Sequence, residues 1–412
     1  MRKKNRSSAA PKIALALLGL AVLAVILYQV PAVRQDLSWR LDLALTRLRG
    51  QIDPVQAMPT PVGQAATPVP SPSPTLPPDL PTPTPLPTPT PLPPQVSLPG
   101  PAYEVQGMNK CGPATLAMYL RYYGWQGNQD DITAVIKPVD KDRNVNVEEL
   151  AYYVRNYAGW LNVQYRVGGD LEMLKTLLAN GFPVMIEEST PLDQSYWEND
   201  DRWAGHYLLL TGYDEARSLF FVLDSYKPNV TSISYAELSQ HWQAFNYVYI
   251  VVYLPGQEAN LAAAMGSQWD EATNRQHALE LAQAETQSQP ENAFAWFNLG
   301  TNLVYFERYG EAASAYDTAI NLGLPQRMLL YQFGPCFAYF HTLRTPDLLA
   351  ITEYVINLPS HPVSEEPLLW HGWALYRMGD TPGAIADWNK ALEANPNYQD
   401  AIYALDFARA NP

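Results

Sequence analysis

Cysteine is nearly absent from this chain, whose 412 residues include only Cys111 and Cys336. The two fall in segments with different hydrophobic patterns, and a protein that used cysteine for stability would pair its cysteines locally. A disulfide framework is therefore excluded. Cys336 lies in a helical pattern between Pro335 and Phe337, and we expect it to be buried packing. Cys111 remains as the cysteine available for chemistry.

Basic residues and histidine are also scarce. Lys and Arg number 27 against 41 Asp and Glu, and the net charge of −14 argues against nucleic acid as a partner. The acidic pairs Glu148-Glu149 and Glu187-Glu188 are interpreted as solvated faces. Neither a metal site nor a cofactor is predicted, because five of the six histidines lack metal-ligand spacing with one another or with the cysteines. These five are His241, His277, His341, His361 and His371.

The first 33 residues predict a membrane anchor. A charge-free run of 21 residues at 13–33 follows a basic N-terminus, and this run can cross a hydrocarbon core of about 30 Å. The flanking basic residues stay in the cytosol, so we expect a single-pass protein of the cell membrane with its later segments outside the cytoplasm. A cleaved signal peptide is the rival interpretation, but the run is long and has no clear small-x-small cleavage site.

Two further segments precede the folded part of the chain. At 34–53, leucines at helical spacing predict a juxtamembrane amphipathic helix that lies on lipid, self-associates or simply continues the anchor. At 54–101, a segment with 19 of the 37 prolines is predicted to be an extended linker that holds the rest of the chain away from the membrane. A proline-rich binding motif is the alternative there.

The motif around Cys111 predicts a reactive thiol. Cys111 precedes Gly112 and Pro113, after which apolar residues recur at helical spacing until Gly124. Proline suits the first turn of a helix, so Cys111 is expected at or just before a helix N-terminus. The free N–H groups and the helix dipole favour an anion there, which lowers the thiol pKa.

A hairpin follows at 206–224. Its two β-rich runs flank a polar turn near Glu215. With that turn, His206 and Asp224 would face each other directly, with Cβ atoms about 5 Å apart. The acid would then hold one imidazole nitrogen and leave the other to accept a proton from a thiol. A one-residue slip would place the pair on opposite faces. Asp214 is a turn residue and a weaker competitor for the role of Asp224.

Together these motifs resemble the bacteriocin-processing (double-glycine) peptidase-like family of papain-clan cysteine peptidases, over 103–254. The resemblance implies a papain-like α/β fold with Cys111 as nucleophile, His206 as general base and Asp224 as the orienting group. It also implies that Gln106 donates to the oxyanion beside the Cys111 N–H, with Asn109 as the alternative donor. One departure is Ser225, which follows the acid where proline is common in the family.

The segment 102–256 is predicted to form this domain. Helical patterns occur at 147–157 and 171–180, and strand-like runs at 182–186 and 247–253. The loop 187–204 is rich in Trp, Asp and Glu and lies directly before His206. It is either a wall of a cleft or ordinary surface.

The segment 262–412 has a different, helical pattern. Gly300, Ala312 and Ala319 recur 72 residues later, as Gly372, Ala384 and Ala391. A degenerate middle copy is expected between them, with Gly334 matching Gly300. The pattern resembles an all-α tetratricopeptide array of about three repeats plus a leading half-repeat. Such an array usually binds a peptide or protein partner on its concave surface, and a structural buttress is the alternative.

The sequence therefore predicts an extracytoplasmic, membrane-anchored cysteine peptidase with a protein-interaction array. It would act on a peptide or protein substrate by acyl-enzyme chemistry, and acyl transfer to an acceptor is a related activity. The alternative from another class is a catalytically inactive binding or assembly protein. The intact Cys111, His206 and Asp224 argue against it, because an inactive domain has no physical need for three such residues in geometric agreement.

Overall fold

The computed structural model describes residues 18–19, 22, 28–63, 91–139, 142–361 and 364–411. The chain forms two compact units. The smaller consists of the described residues up to 56 together with 194–200 and 359–361, and the larger consists of the other described residues. A sheet domain and the repeat helices both belong to the larger unit.

One long helix, α1 (Pro31–Ile52), dominates the smaller unit. It starts three residues before the predicted helix, at a proline that suits a first turn. Part of the predicted loop packs on it, since the rings of Trp39 and Tyr196 lie 5.7 Å apart and Arg47 donates a 3.1 Å hydrogen bond to Gln194. Its leucine stripe is exposed to solvent, at Leu37, Leu41, Leu45 and Leu48.

The predicted membrane span at 13–33 lies largely outside the described residues. Within the part of the chain that the structure describes, no helix is both long enough and apolar enough to cross a membrane.

Among the described residues of the larger unit, seven strands form one antiparallel sheet. The strand order is β2-β7-β3-β4-β5-β6, and β1 pairs with the end of β4. The predicted strand at 182–186 continues five residues further in the structure, because its second half pairs with the start of β4. The strands are β1 (Gln95–Ser97), β2 (Asn162–Arg166), β3 (Val184–Pro191), β4 (Trp203–Asp214), β5 (Leu219–Asp224), β6 (Ser232–Ser234) and β7 (Tyr249–Tyr253).

Helices cover both faces of this sheet. Alternate residues of β4 point to opposite faces, so Tyr207 and Leu209 contact one helical layer and Leu208 and Leu210 the other. The first layer contains α2 (Cys111–Tyr122), α3 (Gln129–Ile136) and α4 (Val147–Tyr157). The second contains α5 (Leu171–Ala179), α6 (Tyr235–Trp242) and α7 (Glu258–Met265). This three-layer arrangement agrees with the predicted α/β class.

Eight helices follow the sheet domain in the part of the chain that the structure describes. They are α8 (Glu271–Ser288), α9 (Ala293–Tyr305), α10 (Tyr309–Leu322), α11 (Gly334–His341), α12 (Thr345–Ile356), α13 (Glu365–Arg377), α14 (Thr381–Ala394) and α15 (Gln399–Ala410). Three helix pairs, α9/α10, α11/α12 and α13/α14, follow the leading helix α8. The predicted number of repeats and the leading half-repeat therefore agree with the structure.

The predicted alignment of the middle repeat was wrong. The second helices of the three pairs start at 309, 345 and 381, so the repeat is 36 residues long and Cys336, not Gly334, corresponds to Gly300 and Gly372. Those two glycines lie under aromatic rings of the second helix, where a Cβ atom would come within 2.7 Å of Tyr316 or 2.4 Å of Trp388. The middle repeat has Thr352 at the ring position, which leaves room for a side chain. Pro335 also shortens α11 at its start.

The proline-rich segment is not wholly a spacer. Near its start, the N–H groups of Val62 and Gly63 donate hydrogen bonds of 2.7 and 3.2 Å to the Asp347 carboxylate of the repeat array. Near its end, β1 joins the sheet seven residues before the predicted boundary at 102. The residues between, 64–90, lie outside the described residues.

Buried amide groups join the repeat array to the sheet domain. Asn302 and Asn246 exchange side-chain hydrogen bonds of 3.0 and 3.1 Å, and Asn298 donates a 2.8 Å bond to the Gln243 carbonyl. All three asparagines are at most 4% exposed. Because a buried amide that loses its partner is costly, these bonds fix one orientation of the two parts.

Candidate active site

Cys111 is the first residue of α2, as the motif predicted. The next residue is a glycine, Gly112, because a Cβ atom at that position would lie 3.2 Å from the Tyr207 ring. The thiol is partly exposed, and both cysteines are unpaired. Cys336 is buried, also as predicted, and burial raises the pKa of its thiol. The two cysteines therefore occupy opposite chemical environments.

His206 and Asp224 are on neighbouring strands but are not directly opposed. Asp224 pairs with Leu208, because the register shifts between Leu210 and Gly212 and the turn is a short 3-10 helix. His206 thus lies diagonally from the acid on the same face. Its Nε2 forms a 2.8 Å hydrogen bond with Asp224 Oδ1. Asp214 instead caps the turn, by accepting a hydrogen bond from the Arg217 N–H.

The backbone holds the Asp224 carboxylate in place. Its Oδ1 also accepts hydrogen bonds from the N–H groups of Tyr226, at 2.8 Å, and Lys227, at 2.9 Å. Burial alone would raise the pKa of Asp224, but the contact with His206 and these two donors lower it. The carboxylate is therefore a fixed negative charge beside the imidazole.

Cys111 and His206 favour each other's charged forms. Burial opposes ionisation of both groups. It is outweighed for Cys111 by the hydrogen bond and charge of His206 and by the charge of Lys137, and for His206 by the hydrogen bonds and charges of Asp224 and Cys111. The pKa of His206 rises to about 10 and that of Cys111 falls. Because Nε2 is engaged by the acid, Nδ1 is the nitrogen left for the thiol. Both shifts favour a thiolate beside an imidazolium ion.

Lys137, which the sequence analysis missed, adds a buried positive charge. Its side chain is 2% exposed and donates to the carbonyl oxygens of Asp142 and Asn144, the latter at 3.3 Å. The ammonium group helps to lower the Cys111 pKa. No local pattern marks Lys137 as buried, since it follows the last residue of an ordinary amphipathic helix.

Gln106 is held by the residue that departs from the family pattern. The Gln106 N–H donates a 2.9 Å bond to the Ser225 carbonyl, and the Ser225 hydroxyl donates a 3.0 Å bond to Gln106 Oε1. The Gln106 Nε2 group is left to donate elsewhere. Asn109, the alternative donor, adopts a left-handed backbone conformation with φ of 55° in the turn before Cys111.

Glu187 and Glu188 are buried, at 6% exposure each, so their interpretation as a solvated face was wrong. Each lies in the middle of β3, opposite Tyr207 and His206 respectively. Burial raises the pKa of Glu188 to about 7 and that of Glu187 well above its usual value. Glu188 Oε2 has no hydrogen-bond partner within the described part of the chain. Both faces of β3 are covered by helices, so apolar and polar residues do not alternate along this strand, and the burial of the two glutamates could not be predicted from the sequence.

Comparison with protein families matches residues 91–250 to the Peptidase_C39-like family. Among solved structures, one similar chain is described as a C39-like peptidase from Bacillus anthracis. It is 18% identical, with 39% of this chain and 97% of that one covered and a TM-score of 0.30. Another is YrrB, described as a TPR protein with an unusual peptide-binding site. It is 16% identical, with coverages of 35% and 88% and a TM-score of 0.19. A search of curated proteins finds no match.

Proposed function

Because residues 91–250 belong to the Peptidase_C39-like family, we propose that the chain is a cysteine peptidase with Cys111, His206 and Asp224 as its catalytic residues. The observation that carries this proposal is the His206 imidazole, which Asp224 holds at 2.8 Å and which lowers the pKa of the Cys111 thiol. A nucleophile, a base and an orienting acid are the groups that acyl-enzyme chemistry needs.

The reaction follows from these positions. The Cys111 thiolate attacks the carbonyl carbon of the substrate, and the developing oxyanion is stabilised by the Cys111 N–H and Gln106 Nε2. The imidazolium of His206 donates its proton to the leaving amine as the C–N bond breaks, which leaves a thioester on Cys111. His206 then accepts a proton from water, which attacks the thioester and releases the acid.

The remaining parts of the chain set where this chemistry takes place. We propose that 13–33 anchors the protein in the cell membrane with its N-terminus in the cytoplasm, so that the peptidase acts outside the cytoplasm on a peptide or protein. The basic N-terminus and the length of the charge-free run support this orientation. The repeat array would engage a protein or peptide segment.

The rate of Cys111 alkylation by iodoacetamide across pH 4 to 11 tests the proposal on the full-length chain. The thiolate should react well below the unperturbed thiol pKa of about 8.5, and its rate should change again near pH 10, where His206 loses its proton and the thiolate remains. His206→Ala should slow the reaction at pH 6 by about 100-fold, because the thiolate becomes rare. His277→Ala, a histidine of α8, is the matched control.

An ordinary thiol titration in the unmodified protein would contradict the peptidase proposal. It would favour the inactive binding protein instead. Mass spectrometry identifies which cysteine is labelled, and buried Cys336 should stay unlabelled.

A further inference from the structure

The repeat array contributes an aromatic residue to the surroundings of the catalytic pair. Tyr331 lies between α10 and α11, yet its ring centroid is 5.5 Å from that of Trp203 and 6.2 Å from that of Phe245. Both partners belong to the sheet domain, and Trp203 starts the strand that carries His206. The array therefore reaches the catalytic strand.

Gly205, the neighbour of His206, makes this approach possible. A Cβ atom at Gly205 would lie 2.9 Å from the Tyr331 ring and 2.8 Å from Phe245, which is inside normal carbon–carbon contact. Burial and the nearby Cys111 raise the pKa of Tyr331 to about 12. Tyr331 is thus close to both members of the catalytic pair.

Polar contacts on either side of Tyr331 hold its segment on the sheet domain. Arg327 donates a 3.3 Å bond to the Trp203 carbonyl and lies 3.6 Å from the Asp201 carboxylate. Gln332 donates a 2.7 Å bond to the Ala244 carbonyl. With both flanks fixed in this way, the ring is a preorganised part of the surface and not a mobile side chain.

Exposure shows which groups a substrate can reach. His206 is buried, whereas Cys111, Trp203, Gly205 and Tyr331 are each partly exposed. The side chains of Cys111, Trp203 and Tyr331 all pack against one hydrophobic cluster. The partly exposed thiol therefore shares this cluster with two partly exposed aromatic rings, one from each domain. Such rings favour apolar side chains, because a charged group would lose its hydration there without gaining a partner.

We propose that Tyr331 is a specificity-determining residue, which with Trp203 receives an apolar side chain of the substrate next to the bond that Cys111 attacks. This inference rests on the proposed peptidase function and deepens it. The repeat array then forms part of the substrate cleft, in addition to any partner that it binds elsewhere.

The test compares reagents of different size on the full-length chain. Iodoacetamide reports the reactivity of Cys111 alone, whereas tripeptidyl chloromethyl ketones with Phe, Leu, Gly or Asp at either residue before the ketone also report side-chain selection. The unmodified protein should prefer Phe and Leu to Asp by at least about 10-fold. Tyr331→Ala should reduce that preference about 10-fold and change the iodoacetamide rate less than about twofold.

Two variants separate selection from folding. Tyr331→Phe keeps the ring and should keep the preference. Tyr331→Leu keeps apolar packing and should lose the preference for Phe while it retains that for Leu, so the question is answered even if Tyr331→Ala is poorly folded. Tyr403→Ala removes an exposed tyrosine of α15 and serves as the control.

An unchanged preference in both Tyr331→Ala and Tyr331→Leu would overturn the inference. An equal rise in rate with every peptide reagent would also overturn it, because Tyr331 would then be an obstruction and not a selector. Failure of the proposed function has a different signature, namely an unactivated thiol toward iodoacetamide in the unmodified protein.

Discussion

At the scale of single residues, Ser225 connects the acid of the proposed catalytic site to the donor that would bind the oxyanion. It follows Asp224 directly, and its hydroxyl group and carbonyl hold Gln106 at both ends. A proline at 225, the residue common in the resembled family, would have no hydroxyl group to offer. This chain therefore orients the Gln106 side chain by a hydrogen bond from the Ser225 hydroxyl group, which a proline at 225 could not make.

Ser225→Ala should slow reaction with peptidyl chloromethyl ketones by about 10-fold, because Gln106 loses the bond that orients its amide. Ser225→Thr keeps a hydroxyl group and should restore most of the rate. The iodoacetamide rate, which involves no oxyanion, should not change in either variant.

A double-mutant cycle identifies the route of this effect. In a Gln106→Ala background, Ser225→Ala should cause little further loss, since the two residues act as one unit. Additive losses would mean that Ser225 acts on Cys111 through Thr115, whose hydroxyl lies 3.5 Å away from that of Ser225.

The sequence was most informative where a residue type is dictated by local geometry. The helix start at Cys111 and the shared face of His206 and Asp224 could be predicted, because a proline in a first turn and a hairpin turn are local signals. The diagonal placement of the pair could not be predicted, because a register shift inside β4 has no clear sequence signal. Buried Lys137 and Glu188 depend on which elements cover them, and distant segments decide that.

At the scale of elements, the repeat helices depend on pairing a glycine with a large ring. Gly372 and Trp388 form one such pair, and Gly300 and Tyr316 form another. The middle repeat replaces both members, with Cys336 and Thr352. In the middle repeat both helices therefore contribute a side chain of intermediate size, where the other two repeats pair a glycine with a ring.

Gly372→Ala should destabilise the chain by about 1 to 3 kcal/mol, because the added methyl group would overlap the Trp388 indole and force a shift in packing. Urea unfolding measures the change. Gly310→Ala is the matched control, since it lies in α10 with no atom within 4 Å of the added Cβ atom. The control should be neutral or stabilising by up to about 1 kcal/mol, as helix propensity requires. Equal effects of the two substitutions would contradict the packing argument.

The repeat class was predictable and the repeat length was not, for one reason. Spacings of 72 residues between matching alanines and glycines reveal two similar helix pairs, whatever lies between them. The length of one repeat can be inferred only if the middle copy is recognised. In that copy Cys336 stands in place of the glycine, and the first turn of the helix is lost before Pro335. Gly334 was the nearest glycine to the expected place, and it instead starts α11.

At the scale of the whole larger unit, acidic side chains are buried between the repeat array and the sheet domain. Glu366 of α13 accepts hydrogen bonds from Asn144 at 3.4 Å and Asn146 at 3.5 Å. The neighbouring Glu365 is 2% exposed and accepts a 2.9 Å bond from Asn395. Burial, with the charge of Asp142, raises the pKa of Glu365 to about 7.

This cluster predicts that the joined domains are more stable in acid. The pKa of Glu365 is raised above its unfolded value of 4.5, so its contribution is fully present below pH 4.5 and is lost as pH rises through about 7. Glu365→Gln should remove that dependence and stabilise the chain at pH 8 by up to about 3 kcal/mol. Thermal unfolding at pH 5 and pH 8 measures this.

The control for that experiment is Glu393→Gln, an exposed glutamate of α14. It should leave the pH dependence unchanged. A Glu365→Gln protein that keeps the full dependence would place its origin in another buried acid, such as Glu149, whose pKa burial also raises.

The contacts of Val62 and Gly63 with Asp347 have a mechanical consequence. They fix the chain to the repeat array before the stretch 64–90, and β1 fixes it again to the sheet after that stretch. A pull on the chain just before Val62 would therefore load the two hydrogen bonds to Asp347 on α12 before it loaded β1. Along this route, tension would reach the sheet only after those two hydrogen bonds had broken.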